Sequence, residues 1–178
     1  IGTLNLLECL KNTSKNCSIV LISTDKVYVN NEWVYGYRET DRLGGNDPYS
    51  ASKAAMEIAI ESWKTSFSGH SDFQTDKLFI STARAGNVIG GGDWSQDRLV
   101  PDFVKAIEGG EKVIIRNPNS KRPWQFILEP LWGYLSLAKK IYDKNQISLT
   151  KAKFRDSYNF GPKTEANRSV EELVKLLI

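Results

Sequence analysis

The chain has 178 residues, 40% of them hydrophobic and 25% charged, with a formal net charge of +3. That fits one domain, or part of a larger one, with enough chain to bury a core and the composition of an ordinary soluble globular protein. The cations are scattered rather than clustered and no apolar run approaches the ~20 residues that span a bilayer, so neither a nucleic acid nor a membrane is expected as a partner. Cys9 and Cys17 stand apart without metal-ligand spacing, which points away from a metal site or a disulfide scaffold and towards a reducing cytoplasm.

In chain order, apolar residues at helical spacing predict a helix from Ile1 to Lys11, and a polar loop from Asn12 to Asn16 follows. Ser18-Ile19-Val20-Leu21-Ile22 is short, apolar and β-branched, as a buried parallel strand reads. It breaks into the polar Ser23-Thr24-Asp25-Lys26 at its carboxyl end, where open α/β sheets bind ligands. A long irregular loop carrying Tyr28, Tyr35, Gly36, Arg38 and Glu39 comes next; loops of that length in compact domains are functional or mobile.

Pro48 stands where helices commonly begin, and a helix is expected from Tyr49 to Ser66. Its charged residues Lys53, Glu57, Glu61 and Lys64 fall on one arc of about a quarter of the circumference, and small and apolar residues take most of the rest. An apolar arc that wide implies burial on two sides, one against the sheet and one against another helix, or a helix simply sunk in the core. Lys77 to Ala83 reads as the next parallel strand, followed by a loop from Arg84 to Trp94 in which Gly90, Gly91 and Gly92 allow a sharp turn or close approach to a ligand. Then come a helix from Leu99 to Glu108 ended by Gly109-Gly110, a short strand Val113-Ile114-Ile115, a helix from Pro130 to Tyr142, and a strand end at Ser157 to Gly161 before the last helix. Trp94 and Trp124 read as core residues, and His70, in a polar loop, is given no role.

The chemistry is concentrated in Asp47-Pro48-Tyr49-Ser50-Ala51-Ser52-Lys53. Helical spacing stacks the Tyr49 phenol and the Lys53 ammonium one turn apart on one face. A cation so close favours the tyrosinate and is expected to lower the phenol pKa from about 10. With Ser23-Thr24-Asp25-Lys26 upstream, the chain resembles the extended short-chain dehydrogenase/reductase superfamily, and within it the nucleotide-sugar 4,6-dehydratases. Gly36-Tyr37-Arg38-Glu39, the stretch from Ala83 to Trp94, Asp97-Arg98-Leu99-Val100-Pro101-Asp102 and Arg122-Pro123-Trp124-Gln125 resemble the branch that acts on CDP-glucose.

The resemblance implies an α/β fold, a partial Rossmann-like doubly wound parallel sheet with a smaller α/β substrate-binding lobe. Residues 1–94 would form the second half of the dinucleotide-binding domain. Residues 95–178 would form mostly the lobe, with a segment near 124–143 returning to the first domain. No glycine-rich G-x-x-G-x-x-G turn follows any strand, and neither end carries a clear start or stop signal. The first βα unit, where such families hold the cofactor pyrophosphate, is therefore expected to lie outside this chain.

The implied reaction oxidises a sugar at C4 with NAD, eliminates water across C5–C6 and returns the hydride to C6, making a 4-keto-6-deoxy sugar for surface polysaccharide such as lipopolysaccharide O-antigen. By resemblance Tyr49 is the base for the C4 hydroxyl. Lys53 tunes it and binds the nicotinamide ribose, Thr24 hydrogen-bonds the reacting hydroxyl, and Ser23 with Tyr49 and Lys53 lines the cofactor. Asp25 fits the acid for the C6 hydroxyl. Lys26 stands where the dTDP-glucose relatives have a glutamate base, a form the CDP-glucose branch shares. Adjacent strand residues point to opposite faces, so Asp25 and Lys26 can act together only if the strand has already turned. Arg98 and Arg122 are expected at the diphosphate, whose oxygens match a guanidinium fork, with Asn87 and Asn159 as polar contacts. Arg116 is either a further phosphate ligand or a surface charge. Phe126 occupies a position where this branch has histidine. The resemblance also implies a homodimer through a four-helix bundle that includes helix 49–66.

Overall fold

The computed structural model describes residues 1–11, 16–67, 78–147 and 157–177; His70 lies outside them. The elements in order are α1 (Gly2–Lys11), β1 (Cys17–Ile22), a 3-10 turn (Asp25–Val27), α2 (Pro48–Phe67), β2 (Leu78–Ala85), β3 (Val88–Ile89) and α3 (Leu99–Glu108). They continue with β4 (Lys121–Pro123), β5 (Gln125–Phe126), α4 (Leu128–Ile147), β6 (Ser157–Phe160), a second 3-10 turn (Thr164–Ala166), β7 (Asn167–Ser169) and α5 (Val170–Leu177). Two compact units result, one of Ile1–Ala85 with Trp132–Phe160, the other of Gly86–Leu131 with Gly161–Ile178.

The first unit is built on a parallel sheet in the order β1-β2-β6. Side chains alternate across a strand, and both faces are used. Ile19, Leu21, Leu78 and Ile80 pack on one face with Leu7 of α1 and with Ile60 and Trp63 of α2. Ala83 packs on the other face with Leu137 and Ile141 of α4, joined by Val20, Phe79, Tyr134, Tyr158 and Phe160. This is the doubly wound arrangement, and coverage on both sides is why β1 and the start of β2 read as near-continuous apolar runs. Each fully buried Leu or Ile here contributes about 1.5–3 kcal/mol relative to exposure.

The start of α2 is fixed locally. The Asp47 Oδ1 accepts from the backbone N–H of Tyr49 at 2.9 Å and of Ser50 at 3.0 Å, and Oδ2 accepts from the Ser50 hydroxyl at 2.6 Å. Pro48, with no N–H to satisfy, takes the first helical position. The Ser50 hydroxyl and backbone donors hold the Asp47 carboxyl below the usual aspartate range. A depressed folded-state pKa means that this cap stabilises fully above the unfolded value near ~3.9 and is lost as pH falls through the lower folded value. Asp47→Ala is therefore expected to lower Tm at pH 6 and to flatten the acid limb of the Tm–pH curve, whereas Asp47→Asn keeps the Tm nearer wild type but also loses the acid dependence. Thermal melts from pH 2 to pH 7 check this.

Three expectations need correction. Val113–Ile115 is not a strand; Val113 and Ile115 lie in extended chain packed on Phe103, Val170 and Val174, the core of the second unit. β2 runs through Arg84 and Ala85, both buried, where a loop was expected to start. On α2, Glu57 and Lys64 of the charged arc are buried, while Ile58 of the apolar arc is exposed. Trp94 also departs from expectation, being 56% exposed. The second unit holds a parallel pair β3–β5 and an antiparallel pair β4–β7. Its α5 begins on a reciprocal cap, with the Ser169 N–H donating to Glu172 at 2.7 Å and the Glu172 N–H donating to the Ser169 Oγ at 3.1 Å. No helix among the described residues is long and apolar enough to cross a membrane.

Candidate active site

β1 ends at Ile22, and its ladder closes with the Ser23 N–H donating to the Ala83 carbonyl at 2.7 Å. Thr24 then caps the 3-10 turn, its Oγ1 accepting from the Lys26 N–H at 3.4 Å and donating to Asp25 Oδ1 at 3.2 Å. The strand has therefore turned before it reaches Asp25, and alternation no longer forces Asp25 and Lys26 apart. Val27 anchors the turn, fully buried in a cluster with Tyr28 and with Ala54 of α2. Because Ala54 adjoins Lys53, this contact holds the turn against the helix half that carries Tyr49 and Lys53. The Lys26 ammonium lies 6.0 Å from the Tyr49 ring centroid, at the outer reach of a cation–π contact. Tyr49 is 51% exposed and Lys53 half-buried, so both are open to a ligand. The Ser23 hydroxyl oxygen is buried with no hydrogen-bond partner among the described residues.

Beneath this surface lies a buried ion pair. Arg84, on β2, and Glu57, on α2, are each 3% exposed. Arg84 Nε donates to both Glu57 oxygens at 2.9 Å, and Nη2 donates to Oε2. Nη1 donates to the Tyr28 hydroxyl at 2.6 Å and to the Glu39 carbonyl at 3.1 Å. The Thr82 and Ser157 hydroxyls lie 2.6 Å apart and each 3.4 Å from Glu57 Oε2, so one can donate to the other and the second to the carboxylate. Burial opposes the charge on Arg84, but its bonds to Glu57 outweigh that and raise its pKa. Burial likewise pushes the Tyr28 phenol up, against the pull of Arg84.

The same residues order the segment from Tyr28 to Leu43. It folds back on itself through an antiparallel bridge between Tyr28 and Leu43, and the Val29 N–H donates to the Arg42 carbonyl at 3.0 Å. Tyr28 and Tyr37 stack at 5.0 Å. Gly45 passes so close to the first turn of α2 that an added Cβ would stand 2.4 Å from the Ala51 nitrogen, which excludes any side chain there. Asn159 is tied to the segment as well: its Oδ1 accepts from Tyr28 at 2.7 Å, its Nδ2 donates to the Tyr37 carbonyl at 2.8 Å, and its backbone N–H donates to Glu39 Oε1 at 2.8 Å.

The remaining candidates belong to the second unit. Asn87 is half-buried, and its carbonyl accepts from the Gln125 N–H at 3.1 Å. Arg122 is half-buried on β4, while Arg98, at the N-cap of α3, and Arg116 are exposed. Asp97 holds a left-handed φ of 58°, and Gly92 one of 80°, a backbone region in which Asp is tolerated and Gly is at ease. Phe126 is 55% exposed.

The sequence matches the GDP-mannose 4,6-dehydratase family over residues 1–161. The chain belongs to that family. Within reach of this GDP-mannose 4,6-dehydratase family chain is the CDP-glucose 4,6-dehydratase of Salmonella typhimurium, 43% identical over 178 residues that are 100% of this chain and 48% of the relative. The chain thus spans about half the length of that relative. A dTDP-glucose 4,6-dehydratase from Bacillus anthracis, solved in complex with NAD, superposes with a TM-score of 0.72 at 25% identity, covering 100% of this chain and 50% of that one. A UDP-glucuronic acid 4-epimerase from Bacillus cereus reaches a TM-score of 0.75 at 20% identity over 98% of this chain and 48% of its own, a likeness of fold. The Rossmann-like architecture is common to these structures.

Sequence reasoning missed Arg84, Glu57 and Tyr28 as a unit. Two signals were available: an acidic residue one turn beyond Lys53 on the same stripe as Tyr49, and an arginine directly after the apolar stretch of a strand covered on both faces. Such a charge is costly there unless paired.

Proposed function

We propose that this chain carries the acid–base groups of a nucleotide-sugar 4,6-dehydratase that converts CDP-glucose to CDP-4-keto-6-deoxyglucose with NAD as cofactor. The observation that carries the reading is the turn of Asp25 and Lys26 docked on the helix half that presents Tyr49 and Lys53. Identity of 43% to a CDP-glucose enzyme over the whole chain supports the nucleotide. Phe126, in place of the expected histidine, favours keeping a second reading, a dehydratase or epimerase of the same family using another nucleotide sugar.

The cofactor is tested on Ser23. Its buried hydroxyl, without a partner among the described residues, lies at the carboxyl end of β1, where a doubly wound sheet presents its ligands, and a polar edge of NAD fits that need. NAD, when bound, supplies the reversible hydride acceptor. Tyr49 takes the proton of the C4 hydroxyl while Thr24 Oγ1 orients that hydroxyl. Lys53 stabilises the phenolate and hydrogen-bonds the nicotinamide ribose. For the elimination, Asp25 is the acid towards the departing C6 hydroxyl and Lys26 the base towards the C5 proton, so that one water leaves. Arg98 and Arg122, with Arg116, hold the diphosphate, and Asn87 and Asn159 are polar contacts to the nucleotide sugar. Exposed Leu4 and Leu6 on α1 and Ile58 on α2 support a homodimer through paired α1 and α2 helices, working in the cytoplasm. The test is incubation of the full-length protein with CDP-glucose, followed by mass analysis. Product lighter by one water is expected; product retaining that water overturns the dehydratase reading.

A further inference from the structure

Tyr49, Lys53 and Glu57 follow one another at four-residue intervals on α2, so the residue that holds Glu57 also fixes the azimuth of the two ahead of it. Arg84 holds Glu57 with two nitrogens of a planar fork, a bidentate contact that specifies orientation as well as attraction. Its third nitrogen reaches the Tyr28 hydroxyl and the Glu39 carbonyl, on the segment that leaves the Asp25–Val27 turn directly. Tyr28 is thus tied three residues beyond Asp25, and its ring stacks under Tyr37 and beside the guanidinium, 5.0 Å from it. The helix bearing the phenol and the turn bearing the carboxyl meet on a single cation that is itself buried.

We propose that Arg84 is a positioning residue for the reaction: through Glu57 it sets the rotation of α2, and so Tyr49 and Lys53, and through Tyr28 it sets the turn carrying Asp25 and Lys26. The proposal rests on the reading of Tyr49 and Asp25 as the reacting groups. Buried ion pairs also occur without any such role, and a pair replaced by apolar side chains of similar volume often keeps its stability. That separates the two cases. An apolar pair would fill the space yet carry no orientation, and would leave the Tyr28 hydroxyl without its fixed donor.

The experiment uses the full-length protein and compares wild type, Arg84→Lys, Arg84→Met, and the double variant Arg84→Met with Glu57→Met. Tm, kcat and KM for CDP-glucose are measured, with amide hydrogen exchange over 25–28 and 47–53. The expected result is a double variant with Tm recovered towards wild type and KM little changed, but kcat still about 10- to 100-fold down, as a displacement of about 1 Å produces. Exchange in both segments should be faster. Arg84→Lys, which keeps the charge and loses the fork, should also fall short in kcat. Recovery of kcat together with Tm would overturn the proposal and leave a purely structural pair. Should wild-type protein turn over no nucleotide hexose, the functional reading fails by itself. Exchange then decides the inference, and unaltered protection of the two segments in the folded double variant overturns it.

Discussion

Tyr49→Phe in the full-length protein is expected to lower kcat about 10²–10⁴-fold, the range for removing a positioned acid–base group, with Tm unchanged. The loss is confined to chemistry because of where the residue sits. Its ring is half exposed at the first turn of α2, and the cap that fixes that turn uses backbone N–H groups and Asp47 rather than the phenol. Phenylalanine keeps the ring that the Lys26 ammonium faces at 6.0 Å and loses only the oxygen. Since the role proposed for the phenol is at the bond being made and broken, the loss should appear equally in kcat and kcat/KM. Steady-state rates with CDP-glucose, alongside thermal melts, check this. A variant that keeps its kcat would show that another group takes the C4 proton, and would return the helix to the status of a shared scaffold.

The parts of this site that were legible in the sequence are those set by short-range rules. Pro48 after Asp47 announced the start of α2, the break from Ile22 to Ser23 marked the end of β1, and four-residue spacing put Tyr49 and Lys53 on one stripe. The 3-10 turn at Asp25 was legible only as a requirement, because a strand that continued would have separated Asp25 from Lys26. What could not be read was pairing at long range. Glu57 read only as one member of a charged arc, because helical periodicity says which residues share a face, and not what covers it. Arg84 looked like the start of a loop because a charge inside a covered strand is tolerated only with a partner, and that partner lies 27 residues away in sequence. Val113–Ile115 carried the β-branched run of a strand but pairs with no strand among the described residues, and Val113 and Ile115 pack on the Phe103 cluster while Ile114 is exposed.

The same pair gives the largest expected change in stability. Arg84→Met alone leaves the Glu57 carboxylate buried with, among the described residues, the Thr82–Ser157 hydroxyl pair to supply one donor at 3.4 Å. Breaking such a pair from one side costs about 3–5 kcal/mol, because one desolvated charge remains. The single variant Glu57→Met should cost a similar amount by stranding the guanidinium, although Tyr28 and the Glu39 carbonyl still accept from it. With both changes the uncompensated charge disappears and methionine, which adapts to irregular space, fills what is left. The double variant should therefore be much more stable than the sum of the single changes predicts, and a coupling free energy of several kcal/mol should appear in a double-mutant cycle. Urea unfolding of the four proteins at pH 7 measures it. Additive losses would mean that water reaches the carboxylate once Arg84 is gone, and that the site is not the dry interior its 3% exposure indicates. The sign matters beyond stability: an ion pair that apolar residues can replace at little cost in free energy is retained for the geometry it imposes, and here that geometry points at Tyr49.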